Sequence, residues 1–103
     1  MTAFLGAMEP HHSSDMSHFR VTAVAEASVL PRVIEVFAKL TLVPAAFASE
    51  TLGDRSMRID VRMPGLDQAQ SDHLARALRQ IIGVETVLVS LTPGAATDQS
   101  GAA

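Results

Sequence analysis

The side chains in this sequence that could do chemistry are few, and their spacing is mostly that of a surface. His11 and His12 are adjacent, within a stretch that has no sustained hydrophobic period, and His18 closes that stretch. His73 stands beside Asp72 on the polar side of a helical pattern. Adjacent histidines can ligate a metal, but a solvated segment is the simpler reading. No Ser, His and Asp occur at spacings from which a nucleophilic set can be assembled. The chain has no cysteine, which excludes disulfides, cysteine nucleophiles, thiolate metal sites and iron–sulfur clusters together. We therefore expect no catalytic residue, no metal and no cofactor. The charges that do carry a pattern are Arg58, Asp60 and Arg62, with Arg20 on a second alternating segment. Alternation places such residues on one face of a sheet, where they form either a solvated, charge-balanced surface or a docking face.

The elements that must position these groups follow from hydrophobic period. Of 103 residues, 48% are apolar and the formal net charge is −3. That length suits one domain, and a domain so small is marginal alone, so a second copy or a partner is expected. No basic block suggests nucleic acid. No apolar run approaches a membrane span, and the N-terminus lacks a signal-peptide layout. A cysteine-free chain of this kind fits the cytoplasm. Residues 1–17 read as a flexible leader, 18–92 as the folded domain and 93–103 as a flexible tail.

Between the tails, Phe19, Val21 and Ala23 alternate with Arg20, Thr22 and Val24, which predicts a strand over His18 to Glu26. Ser28 suits a helix N-cap, and Leu30, Val33, Ile34, Phe37 and Leu40 then form one apolar stripe that ends near Thr41. Val43 to Leu52 reads as a second strand, with a turn at Gly53-Asp54-Arg55. Met57, Ile59, Val61 and Met63 alternate through a third. Asp67 with Gln70 resembles a capping box; Leu74, Ala75, Leu78, Ile81 and Ile82 mark a second helix; Gly83 suits its C′ position. A last strand, Thr86 to Thr92, has Val87, Val89 and Leu91 on one face. The order β-α-β-β-α-β implies an α+β, ferredoxin-like fold: a four-stranded antiparallel sheet with both helices on one face. The expected strand order is 4-1-3-2, with the first and third strands central and parallel.

This plan hosts several chemistries, and the residues discriminate among them. RNA recognition needs stacking aromatics on the central strands, yet that face would carry Arg20, Thr22, Val24, Arg58, Asp60 and Arg62, and the chain has no Trp or Tyr. A metallochaperone needs a Cys pair. Acyl-phosphate hydrolysis needs a glycine- and arginine-bearing loop after the first strand; here the loop is Glu26-Ala27-Ser28.

The segment Leu30-Pro31-Arg32-Val33-Ile34-Glu35-Val36-Phe37 resembles the first helix of ACT domains. It is most similar to the small regulatory subunit of acetolactate synthase, where Leu-x-Arg-Val-Ile-x-x-Phe follows the first strand. Ile81-Ile82-Gly83-Val84-Glu85-Thr86-Val87 resembles that family's entry into the last strand, and the likeness runs from Phe19 to Leu91. The resemblance implies a non-catalytic regulatory subunit that docks on a large catalytic synthase of branched-chain amino-acid biosynthesis. It also implies a homodimer joined edge to edge, and an amino-acid effector held at the loop between first strand and first helix. Carried onto this chain, that loop is Glu26, Ala27, Ser28 and Val29, with Val43 at the start of the second strand. Ser28 stands where the family has glycine, Thr41 where a further glycine is usual, and Ala25 and Val43 where polar amides select an amino acid. A standard valine site is therefore expected to be absent or weakened. The alternative is a free-standing small-molecule-binding homodimer that acts on another enzyme. The expected docking face is Arg20, Arg58, Asp60 and Arg62.

Overall fold

The computed structural model describes residues 15–93. The elements are β1 (Met16–Val24), α1 (Val29–Lys39), β2 (Ala46–Leu52), β3 (Ser56–Pro64), α2 (Gln68–Arg79) and β4 (Val84–Thr92). The strands lie in the order β2-β3-β1-β4. All three pairings are antiparallel, including that of β1 with β3, which corrects the expectation of a parallel central pair. The reason is the hairpin. The crossover through α1 returns β2 in the direction of β1, and the turn at Gly53–Arg55 then reverses the chain, so β3 runs against both.

Alternation decides which side chains meet the helices. Phe19, Val21 and Ala23 of β1 and Met57, Ile59, Val61 and Met63 of β3 are buried on one face, against Val29, Val33 and Phe37 of α1 and Leu74, Ala75 and Leu78 of α2. Phe19 and Phe37 meet edge to face, with ring centroids 5.8 Å apart. Each such contact adds about 1 kcal/mol to the burial of the rings themselves. The inward stripe of α1 begins at Val29, so Ile34 falls on its flank and is half exposed. Val24 packs against the core rather than standing on the open face. It follows a register shift between Thr22 and Ala23 that turns the end of the strand.

Local chemistry sets the boundaries. β1 starts at Met16, so residues 16 and 17 belong to the sheet; 1–14 and 94–103 lie outside the described residues. β2 starts only at Ala46, because Pro44 has no N–H and the ladder begins where the Ala45 N–H reaches the Arg62 carbonyl. Asp67 and Gln70 form the capping box reciprocally, each side chain accepting from the other's backbone N–H. The helix they start ends at Arg79 with its cap at Gln80. Gly83 is therefore not its C′ residue; it lies in the following turn at φ +102°. No described helix is long and apolar enough to cross a membrane.

Candidate functional site

The loop after β1 is drawn tight by its own backbone. The Ala25 N–H donates to the Arg55 carbonyl at 2.8 Å, Glu26 to Val24 at 2.9 Å, and Val29 to Glu26 at 3.1 Å. Among the described residues nothing accepts from the N–H groups of Ala27 or Ser28. Ser28 is the N-cap of α1 as expected, but with φ −69° and ψ −18° its backbone is already helical and its hydroxyl makes no cap bond. A capping hydroxyl requires an extended backbone, as Asp67 has at ψ 175°. Glu26, Ala27 and Ser28 are exposed. Val29 is not available to a ligand: its side chain is in the core and its N–H is used.

Val43 lies at the opposite end of the chain's first crossover. It is 82% exposed, in the coil between α1 and β2 rather than in the strand. The 11 residues of α1 separate it from Ser28, a rise of about 16 Å. One chain therefore does not bring the loop and Val43 together. The turn before Val43 holds a feature that alternation could not reveal. Thr41 has φ +55°, a left-handed backbone. Its N–H donates to Ala38 and that of Leu42 to Phe37, the paired bonds of a Schellman cap with threonine where glycine is usual. The missing glycine at this position was the only sequence signal for it.

The open face of the sheet collects the charges. His18 Nε2 and Asp60 Oδ1 are 2.8 Å apart, and Arg20 Nε donates to the same oxygen at 2.9 Å. Arg58 Nε stands 3.4 Å from Asp60 Oδ2, while its Nη2 donates to Glu50. Burial pushes the Asp60 carboxyl up, but the hydrogen bonds and positive charge of Arg20 and His18 outweigh it and hold the group below its ordinary value. Of the four residues expected to form a docking face, Arg20, Arg58 and Asp60 are joined and Arg62 is not. His18 and Glu50 complete the cluster. His18 was missed because the strand was started there, although its spacing of two from Arg20 places both on one face. Among the described residues no group of His, Cys, Asp and Glu could hold a metal ion; His11 and His12 lie outside them. His73 borders a surface groove between the helices, beside Lys39 and Gln80.

The two sheet edges differ. β2 is exposed from Ala46 to Thr51, and no described side chain bonds its backbone. Arg32, Val36 and Lys39 of α1 line the groove facing α2. Ile34, two residues before Val36 and so about 200° around the helix, stands on the flank away from α2. Ile34 and Phe47 are 50% and 37% exposed. At the other edge, Arg79 Nη2 donates to the Val87 carbonyl of β4 at 3.2 Å.

Topology, a single open face and a first loop with free N–H groups define a ferredoxin-like α+β domain whose candidate sites are a loop and its edges. A family model described as an ACT-like domain matches residues 11–95, and the chain belongs to that family. The fold is similar to the ACT domain of the GTP pyrophosphokinase of Chlorobium tepidum, at 15% identity and TM-score 0.64, covering 73% of this chain and 96% of that one. It is similar to the C-terminal domain of the MgtC protein of Mycobacterium tuberculosis, at 17% identity and TM-score 0.63, covering 77% and 88%. The regulatory subunit of aspartate kinase from Thermus thermophilus aligns at 15% identity and TM-score 0.56, over 77% of this chain and 51% of that one. A search of curated protein sequences finds no match.

Proposed function

We propose that this chain is a non-catalytic ACT-like regulatory subunit that works in the cytoplasm as a homodimer joined through β2 and acts on a larger catalytic protein. The observation that carries this reading is the unguarded β2 edge with Ile34 and Phe47 exposed beside it. Edge strands left alone are normally blunted; the one charge on β2, Glu50, is turned to Arg58 on the open face and leaves the backbone uncovered. A two-fold axis normal to the sheet would pair β2 with its copy in antiparallel fashion and keep all helices on one side. The axis exchanges the two ends of the sheet. It therefore brings the Glu26–Ser28 loop of one chain to the end that carries the other chain's Val43. The halves of the effector site, at opposite ends in one chain, then lie at the same end of the eight-stranded sheet.

The site so formed offers the N–H groups of Ala27 and Ser28 and the Ser28 hydroxyl, but Ala25 and Val43 supply no polar side chain. We propose that amino-acid binding there is weak, and that contact with the catalytic partner is the principal function. The Leu30–Phe37 helix pattern makes acetolactate synthase the first partner to test. Mixing the purified chain with an acetolactate synthase large subunit is expected to raise its activity without conferring valine inhibition. Unchanged activity and separate elution would remove that partner. The second reading, a free-standing small-molecule binder, rests on the free N–H groups. It requires a saturating thermal shift with some member of an amino-acid panel.

A further inference from the structure

Leu88, Val89 and Leu91 follow one another along β4 with 64%, 41% and 58% of their surfaces exposed. Val89 pairs with Phe19 and Leu91 with Ser17, so both lie on the helix face, while Leu88 pairs with Arg20 on the open face. β4 thus exposes Val89 and Leu91 toward the helices and Leu88, between Thr86 and Ser90, on the open face, an apolar patch that continues over the edge of the sheet. Hollows flank it on both sides. One, against α2, is lined by Ala75, Arg76, Arg79 and Val87. Another, on the open face, is lined by His18, Arg20, Leu88 and Ser90. Successive side chains of an added strand point to alternate faces, so hollows on both faces are what such a strand needs. Arg79 closes the edge at Val87, and beyond it no described side chain bonds the backbone from Leu88 to Thr92.

Charge indicates what kind of strand fits. Arg76 and Arg79 border the helix-side hollow with Asp72 as the carboxylate there, and Asp72 already accepts from Gln68 Nε2 at 2.9 Å. Arg76 has no ion pair among the described residues. A second copy does not suit this edge. Two-fold pairing at β4 in addition to β2 would extend the sheet without closure, as an open ribbon.

We infer that the β4 edge from Leu88 to Leu91 is the docking site for an extended segment of another protein, apolar at alternate residues and carrying a carboxylate toward Arg76. The inference rests on the reading of this chain as a module that acts on another protein, and its exclusion of a second copy at β4 rests on pairing through β2.

The test is selection of a displayed library of random ten-residue peptides on the full chain. The most enriched peptide is then synthesised and titrated while backbone amide resonances are followed. The enriched sequences are expected to alternate apolar residues and to include Asp or Glu. The resonances that move are expected to be those of 88–91. Leu88→Lys and Arg76→Glu should each weaken binding by at least about tenfold, while Phe47→Glu, placed on the other edge, leaves it unchanged. No enrichment, basic enriched peptides, or resonance shifts on β2 or the helix groove would overturn the inference. So would a Phe47→Glu chain that remains dimeric and becomes monomeric only with Leu88→Lys added, because β4 would then be a self-interface.

Discussion

Asp60 is where the open face is tied together, since it accepts from β1 through His18 and Arg20 and faces Arg58 on its own strand. Its carboxyl titrates below the ordinary value of 3.8. A lowered folded value means that the carboxylate stabilises the fold fully above the unfolded pKa, and that this stability is lost as pH falls through the folded value. Asp60→Asn is expected to cost about 1 kcal/mol at neutral pH, a figure discounted for partial exposure. Urea unfolding at neutral pH and at about pH 3 checks this: the gap between variant and wild type should shrink at the lower pH, and a gap independent of pH would remove the charge-based account. Arg20, Arg58 and Asp60 were legible from period two alone. That Arg62 would stand apart was not, because alternation assigns a face and says nothing of partners.

At the scale of elements, two turns carry opposite expectations. Thr41 adopts a left-handed backbone at the α1 cap without being glycine. Thr41→Gly should therefore raise stability by about 0.5–1 kcal/mol, relief of the left-handed backbone exceeding the entropy that glycine adds to the unfolded chain. Gly83 also has positive φ, and a Cβ there would meet Val24 Cγ2 at 3.0 Å and Val29 Cγ2 at 3.2 Å. Gly83→Ala should cost about 1–3 kcal/mol. Gly53, at φ +63° with open space around it, should suffer less from the same change. Thermal unfolding of the three variants orders them, and a Thr41→Gly chain less stable than wild type would contradict the account. The capping box of α2 and Leu74, Ala75 and Leu78 of its stripe were readable because side-chain spacing and backbone geometry agree there, whereas Ile81 and Ile82 fall beyond the end of the helix and Ile82 is 85% exposed. The start of β2 was not readable. Ser28 does mark the start of α1, although its hydroxyl makes no cap bond, whereas Val43 looks like strand but precedes a proline that delays the ladder.

For the whole molecule, element order was sufficient for the sheet order, since few arrangements place two amphipathic helices on one face of four strands. The relative direction of β1 and β3 was misread, although the short Gly53–Arg55 turn fixes it. The candidate site was legible only in part. Glu26, Ala27 and Ser28 form an exposed loop, and their separation from Val43 follows from the length of the helical stripe between them, which puts the two at opposite ends of α1. That distance makes a second chain necessary to the proposed site. In the proposed reading the two edges have different tasks, β2 toward a copy and β4 toward another protein.

The most direct check is the mass of the purified chain by light scattering at micromolar concentration, alongside Phe47→Glu. We expect two chains per particle for wild type and one for the variant, whose circular dichroism stays that of a folded α+β domain. A wild-type particle of one chain, or a Phe47→Glu variant that remains dimeric, would contradict pairing through β2 and with it the two-chain effector site.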